Sequence, residues 1–267
     1  MQNGRLILID GHVHIYPDYD WAKTIEALLE LPAGQGETTQ PLRLGLLAES
    51  RACCFFKTVL AHPALFQQGP LQLTAGPDAA SLCILEGGAL KGFLIAGRQI
   101  VTREKLEILG LGADITVSDD LTSEATLDII LAQGAVPVLS WSPGKWFFGR
   151  GKRVKHLIDT QPPGRFLIGD TGLRPTLWPL PNLMKYATRK GFKIIGGSDP
   201  LPLPDEERWA GTYGVSISAD FDPGKPAASL RKLLTDPTSV FTPIGHRTPF
   251  KPFLSRWLNA IMLKKRN

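Results

Sequence analysis

Two histidines one residue apart, His12 and His14, follow an apolar run in the segment Ile9-Asp10-Gly11-His12-Val13-His14. Side chains two apart on an extended strand point the same way, so both imidazoles can reach one metal ion. Neutral imidazole is a ligand for Zn, Ni, Fe or Mn. A divalent ion held there would draw the pKa of a water toward ~7 and supply a nucleophile for hydrolysis. A second apolar run, Ile194-Ile195, ends in Gly196-Gly197-Ser198-Asp199. Its small residues allow close backbone approach, and Asp199 can ligate metal or move a proton.

Other residues are candidates by position. Glu49 follows a strand-like run and is a possible further ligand. Asp170 sits in Gly169-Asp170-Thr171-Gly172, after another such run, and is a candidate catalytic carboxylate beside Asp199. The segment Ser140–Arg153 mixes glycines and aromatics with four cations, among them Lys145 and Arg150. Together with Arg174, these cations suit an anionic small-molecule substrate. Aromatics interleaved with cations also suit single-stranded nucleic acid, which ranks behind the anionic small molecule. Both stand against a packed loop with a solvated basic rim. His62 reads as structural, and His156 and His246 as surface residues.

The segment Asp10–His14 resembles the opening motif of the polymerase-and-histidinol-phosphatase (PHP) superfamily, and that of the amidohydrolases. Ala96–Glu104 is similar to the PHP strand that usually reads Gly-x-Glu-x-x-Thr, and Gly196–Asp199 to its late Ser-Asp-x-His motif. The resemblance implies a distorted (β/α)7 barrel and metal-dependent hydrolysis, mainly of phosphate esters. It implies His12, His14 and Asp199 as ligands. Gln99 stands where the family has a bridging glutamate, Leu201 where it has a histidine, and Ala48-Glu49-Ser50 near its Thr-Asp-His. Three functions follow: a metal-dependent phosphoesterase first, then an amidohydrolase-type enzyme, or a binding protein on a degenerate site.

The elements that must carry these residues alternate. Strands are expected at 5–9, 42–48, 135–140, 165–169, 192–196 and 213–218, and helices at 20–31, 52–66, 122–133, 150–159, 182–190 and 226–234. Residues 71–74, 81–86, 91–101 and 105–109 read as short strands, and 33–40 as a polar loop. Strand–helix alternation is the pattern of an α/β protein with parallel strands. The expectation is a distorted, TIM-like (β/α)7 barrel over residues 1–245. A basic amphipathic helix, 246–267, would pack on it.

The 267 residues carry 30 Lys and Arg against 25 Asp and Glu, a net +5 too mild to signal nucleic acid alone. Three cysteines, two of them adjacent, form no disulfide framework. No run approaches the ~18–20 apolar residues of a membrane span, and the N-terminus does not read as a secretory leader. The expected location is cytoplasmic.

Overall fold

A computed structural model of the chain describes residues 4–33, 40–51 and 53–266, residues 263–266 by backbone alone. Most of the 33–40 loop, and the side chains of Lys264, Lys265 and Arg266, lie outside the described residues. In chain order the elements are β1 (Arg5–Val13), α1 (Trp21–Leu29), β2 (Leu42–Leu47), α2 (Phe55–Ala61), β3 (Leu71–Ala75), β4 (Ser81–Glu86), β5 (Ala89–Ile95), β6 (Gly97–Val101) and β7 (Glu107–Leu111). There follow α3 (Ser123–Ala132), β8 (Val136–Ser140), α4 (Phe148–Thr160), β9 (Leu167–Thr171), α5 (Asn182–Arg189), β10 (Ile194–Gly197), β11 (Tyr213–Ala219), α6 (Pro226–Thr235), β12 (Thr242–Gly245) and α7 (Phe250–Arg266).

The strands form two sheets, one of seven in the order β12-β11-β1-β2-β5-β4-β3 and one of five in the order β10-β9-β8-β7-β6. The chain is thus mixed α/β with two sheets whose ladders do not run into one closed ring, and the expected TIM-like barrel is not confirmed. The reason lies in the middle of the chain. The run 91–101 is not one strand: it divides between β5 in the large sheet and β6 in the small one. Gly97 sits at the division, where a Cβ would lie 2.4 Å from the Leu47 carbonyl oxygen, so only glycine lets the chain pass that closely. β7 then runs antiparallel to both β6 and β8, interrupting the parallel order.

The two sheets share one core. Ile7 and Ile9 of β1, Leu42, Leu44 and Leu46 of β2, Leu109 of β7, Val138 of β8, Leu167 of β9 and Ile195 of β10 pack in one buried cluster. The opposite face of β1 is also covered, with Leu6 and Leu8 packed on Leu31, so the continuous apolar run reflects burial on both faces. Leu127, Ile130, Val154, Leu157 and Met184, from α3, α4 and α5, cover the outer face of the small sheet. Ile25, Leu28 and Phe56, from α1 and α2, pack with Leu47, Leu73 and Leu94 of the large sheet.

Local signals explain the helix bounds. Asp20 caps α1 by accepting from Ala22 N and Lys23 N, and Thr122 caps α3 by accepting from Ala125 N. The expected 52–66 helix breaks at His62, because the residue before a proline is driven out of helical geometry, and Pro63 restarts the chain as a 3-10 turn. α7 packs through a narrow stripe: Phe253 and Arg256 are buried, whereas Phe250, Leu254, Trp257, Leu258 and Met262 are exposed. Among the described residues, no helix is long and apolar enough to cross a membrane.

The sheets meet along two seams. At one, Asp199 N, just past β10, donates to His12 O at 2.9 Å. At the other, Gln99 N of β6 donates to Glu49 O at 2.9 Å, past the end of β2. Both seams lie where the candidate site residues cluster.

Candidate metal centre

β1 does not stop at Asp10-Gly11, as the dipeptide suggests; it continues to Val13. Its pairing with β2 shifts register between Asp10 and Val13, and this irregularity falls where the two imidazoles are presented. Asp10 is fully buried, and its carboxylate organises the turn opposite. Oδ1 accepts from His12 N at 3.2 Å and Ser198 N at 2.8 Å; Oδ2 accepts from Ser198 Oγ at 2.5 Å and Gly211 N at 2.9 Å. Burial raises the Asp10 pKa to about 6, against the pull of those four bonds.

Glycines bring the strands together. A Cβ on Gly197 would stand 2.3 Å from His12 N, and one on Gly11 would stand 2.7 Å from Gly196 O. Past Gly197 the chain turns through Asp199 at φ +54, a conformation that costs a non-glycine residue energy and is held by the Asp199 N to His12 O bond.

The result is a buried triangle. His12 Nε2 lies 3.0 Å from His14 Nε2, and the Asp199 Oδ1 atom is 3.5 Å from the first and 3.6 Å from the second. Tetrahedral ligands about 2.1 Å from an ion stand about 3.4 Å apart, so the three edges fit the face of one coordination sphere. Among the described residues, these three form the group of His, Cys, Asp and Glu side chains close enough to hold an ion. Burial lowers the pKa of both histidines to about 4, which leaves them neutral and ligand-competent at pH 7. Burial raises Asp199 to about 6. The Nδ1 of His14 is buried without a hydrogen-bond partner, and its ring stacks on Tyr16.

Around the triangle, Gln99 Oε1 lies 3.1 Å from His12 Nε2, so Gln99 brings a neutral oxygen to its edge. Ser140 Oγ lies 3.5 Å from His12 Nδ1. Lys145 donates to Glu107, at the start of β7, as a partly buried ion pair. Burial acts to raise the Glu107 pKa, but Lys145 and then the two imidazoles outweigh it, so the carboxyl ends below its ordinary value. Glu107, Ser140 and Asp10 were not read as site residues from sequence. A charged residue opening an otherwise apolar strand was the available signal for Glu107.

The remaining candidates sit otherwise. Glu49 accepts from Phe56 N at 2.8 Å at the start of α2, and burial raises its pKa to about 7. It lies outside the three-residue metal group. Asp170 and Arg174 are joined to each other, Nε to Oδ1 at 2.8 Å and Nη2 to Oδ2 at 2.6 Å, and Tyr213 OH donates to Asp170 Oδ2 at 2.8 Å. That buried network satisfies both charges internally. Arg150 donates to Gly144 O and braces its own loop, while Arg153 pairs with Glu124 and Glu104. Of the cations in the basic segment, Lys145 is thus the one paired with a carboxylate beside the triangle.

Past Asp199, Leu201 occupies the position of the expected histidine, and its loop is anchored by backbone. Leu201 N donates to Glu206 Oε2 at 3.0 Å, and Tyr19 OH donates to Leu201 O at 2.5 Å. Glu206 in turn accepts from Arg256 of α7, so the last helix buttresses the loop that carries Asp199.

No protein-family model and no curated protein sequence matches the chain. Solved structures do. PsfC from Pseudomonas syringae aligns over 97% of this chain and 99% of its own, at 14% identity and TM-score 0.57. The lesion-specific Endonuclease Q from Pyrococcus furiosus aligns over 89% of this chain at 10% identity and TM-score 0.51, and the chain spans 57% of that protein. A two-domain protein from Bacteroides vulgatus, described as containing a predicted PHP-like metal-dependent phosphoesterase, aligns over 96% of this chain and 71% of its own at 14% identity and TM-score 0.48. At these identities the likeness is one of fold. The chain shares its fold with PsfC and Endonuclease Q.

Proposed function

We propose that the chain is a metal-dependent hydrolase acting on phosphate esters. The observation that carries the reading is the buried triangle of His12 Nε2, His14 Nε2 and Asp199 Oδ1, with edges of 3.0, 3.5 and 3.6 Å. Two neutral imidazoles and one carboxylate suit Zn, Mn, Fe or Ni. A divalent ion held by these three residues supplies positive charge and acidifies a water.

The chain's own residues do the rest. Asp10 fixes the backbone of His12 and of Ser198, next to Asp199, so the donors are held before any ion arrives. Gln99 presents a neutral oxygen to the same centre, keeping the negative charge of the donor set to that of Asp199. Lys145 is the cation placed to meet an anionic substrate, with Glu107 holding its ammonium. Asp199 is the carboxylate beside the reacting position. Asp170 and Arg174 brace the β9 loop through Tyr213 rather than serving the reaction. Phosphodiesters in nucleic acid remain in the substrate class on the fold shared with Endonuclease Q.

The test is metal content by elemental mass spectrometry, alongside hydrolysis of a panel of phosphomonoesters, phosphodiesters and amides. About one transition-metal ion per chain and phosphoester hydrolysis, both lost in His12→Ala/His14→Ala, are expected. Hydrolysis surviving in the double variant sinks the reading. Amide turnover without phosphoester turnover moves it to the amidohydrolase class.

A further inference from the structure

In phosphoryl transfer, negative charge develops on the oxygens around phosphorus, and sites built on two ions meet it with two cations. The described His, Cys, Asp and Glu side chains gather into one ion-sized group, His12, His14 and Asp199. One face of the small sheet lies against that group. On it, Gln99 of β6 is two residues from Val101, which pairs with Glu107 of β7, and Glu107 pairs with Ser140 of β8. Alternation along the strands puts Gln99, Glu107 and Ser140 on the same face. Gln99 and Ser140 both reach His12, so Glu107 belongs to the same neighbourhood. Its carboxylate is engaged by Lys145.

We propose that the Lys145 ammonium, locked in place by Glu107, serves as the second positive charge of a one-metal site. It would stand against the substrate's phosphoryl oxygens where a two-metal enzyme uses its second ion. The inference rests on the metal-dependent reading above. Lysine is a compact point charge suited to phosphate oxygens. The Lys145 side chain is 20% exposed and that of Glu107 12%, so the lysine is the more open partner of the pair. Lys145 touches substrate in this scheme, whereas Glu107 is a positioning residue that acts through it. Occupation by lysine also makes the site self-limiting. While the ammonium holds Glu107, that carboxylate is withheld from a second ion.

The experiment counts ions and measures phosphate. Protein is loaded with Mn, freed of excess, and assayed by elemental mass spectrometry; inorganic phosphate binding is followed by calorimetry. Wild type is expected to hold one ion. Lys145→Ala frees Glu107 and is expected to hold two. Lys145→Ala/Glu107→Gln removes both charges, leaves no lone buried carboxylate, and is expected to return to one ion with phosphate bound about tenfold more weakly than in wild type. A purely structural role for the pair would not change the ion count. Two ions in wild type overturn the proposal, as does a one-ion double variant that binds phosphate as tightly as wild type. Those results leave the metal-dependent reading standing, whereas no ion in wild type overturns both.

Discussion

Asp10→Asn is the substitution with the most direct consequence for the centre. The carboxylate accepts from four donors: two backbone N–H groups on Oδ1, and the Ser198 hydroxyl and Gly211 N–H on Oδ2. Asparagine keeps one oxygen and replaces the other by an NH2. The Ser198 hydroxyl can turn and accept instead, but Gly211 N cannot, so with the amide nitrogen at the Oδ2 position one backbone donor faces another. Flipping the amide is worse, because His12 N and Ser198 N would both lose their acceptor. A buried donor left without a partner costs about 1–3 kcal/mol, and the second hydrogen of the new NH2 is stranded as well. The expected loss of stability is therefore about 2–5 kcal/mol by urea unfolding of the metal-free protein. Metal affinity should fall too, since losing the Gly211 bond and reversing the Ser198 hydroxyl bond loosens the hold of Asp10 on the turn that leads to Asp199. A variant within about 0.5 kcal/mol of wild type, binding metal normally, would refute the account of Asp10 as the lock between β1 and the Asp199 turn.

Metal affinity should depend on pH in two stages. The raised Asp199 pKa, about 6, means the unliganded carboxyl holds a proton below that pH and must release it to each incoming ion; both imidazoles, at about 4, stay neutral until lower. Affinity measured by calorimetry should be flat above about pH 6, fall roughly tenfold per unit from 6 to 4, and fall more steeply below 4. A steep, three-proton dependence already at pH 6 would contradict the neutral histidines. Gly197→Ala should cost about 1–3 kcal/mol and weaken metal binding, because its Cβ would meet His12 N at 2.3 Å, a backbone atom that cannot swing aside. Unchanged thermal stability would count against that contact. Asp170→Ala strands the buried Arg174 guanidinium and should destabilise by about 3–5 kcal/mol while leaving the ion count at its wild-type value. Hydrolysis abolished in a fully stable Asp170→Ala protein would instead make that carboxylate catalytic.

The centre was legible where its chemistry is local. His12 and His14 announce themselves by a spacing of two on a strand, and Asp199 by the glycines that precede it. Gln99 was visible as a departure and lies within reach of His12. Asp10 was not readable as a lock, because its partners Ser198 and Gly211 lie 188 and 201 residues away and leave no local trace. Taken alone, Asp10-Gly11 looked like the end of the strand. Glu107 escaped for the same reason, since its significance comes from pairing opposite Ser140. Asp170 and Arg174 each looked available for chemistry, and only the fold shows that they are bonded to each other. Most strands and helices were placed by apolar periodicity. The division of 91–101 was not, because sheet membership is decided by neighbours. β12 was missed as well: it is a four-residue edge strand containing Pro243, a residue such strands tolerate where interior ones do not.

The donors are divided between the two sheets. His12 and His14 ride on β1, and Asp199 hangs from the end of β10, with a single backbone bond from Asp199 N to His12 O beside them. An ion bound there would act as a rivet through the joint, and its radius would become a gauge of how far apart the two halves stand. Rigid glycine contacts at Gly11 and Gly197 set that gap from the protein side. Choice among metals is thereby tied to the mechanics of the whole fold: an ion of the wrong size must move one sheet against the other, not merely turn a side chain.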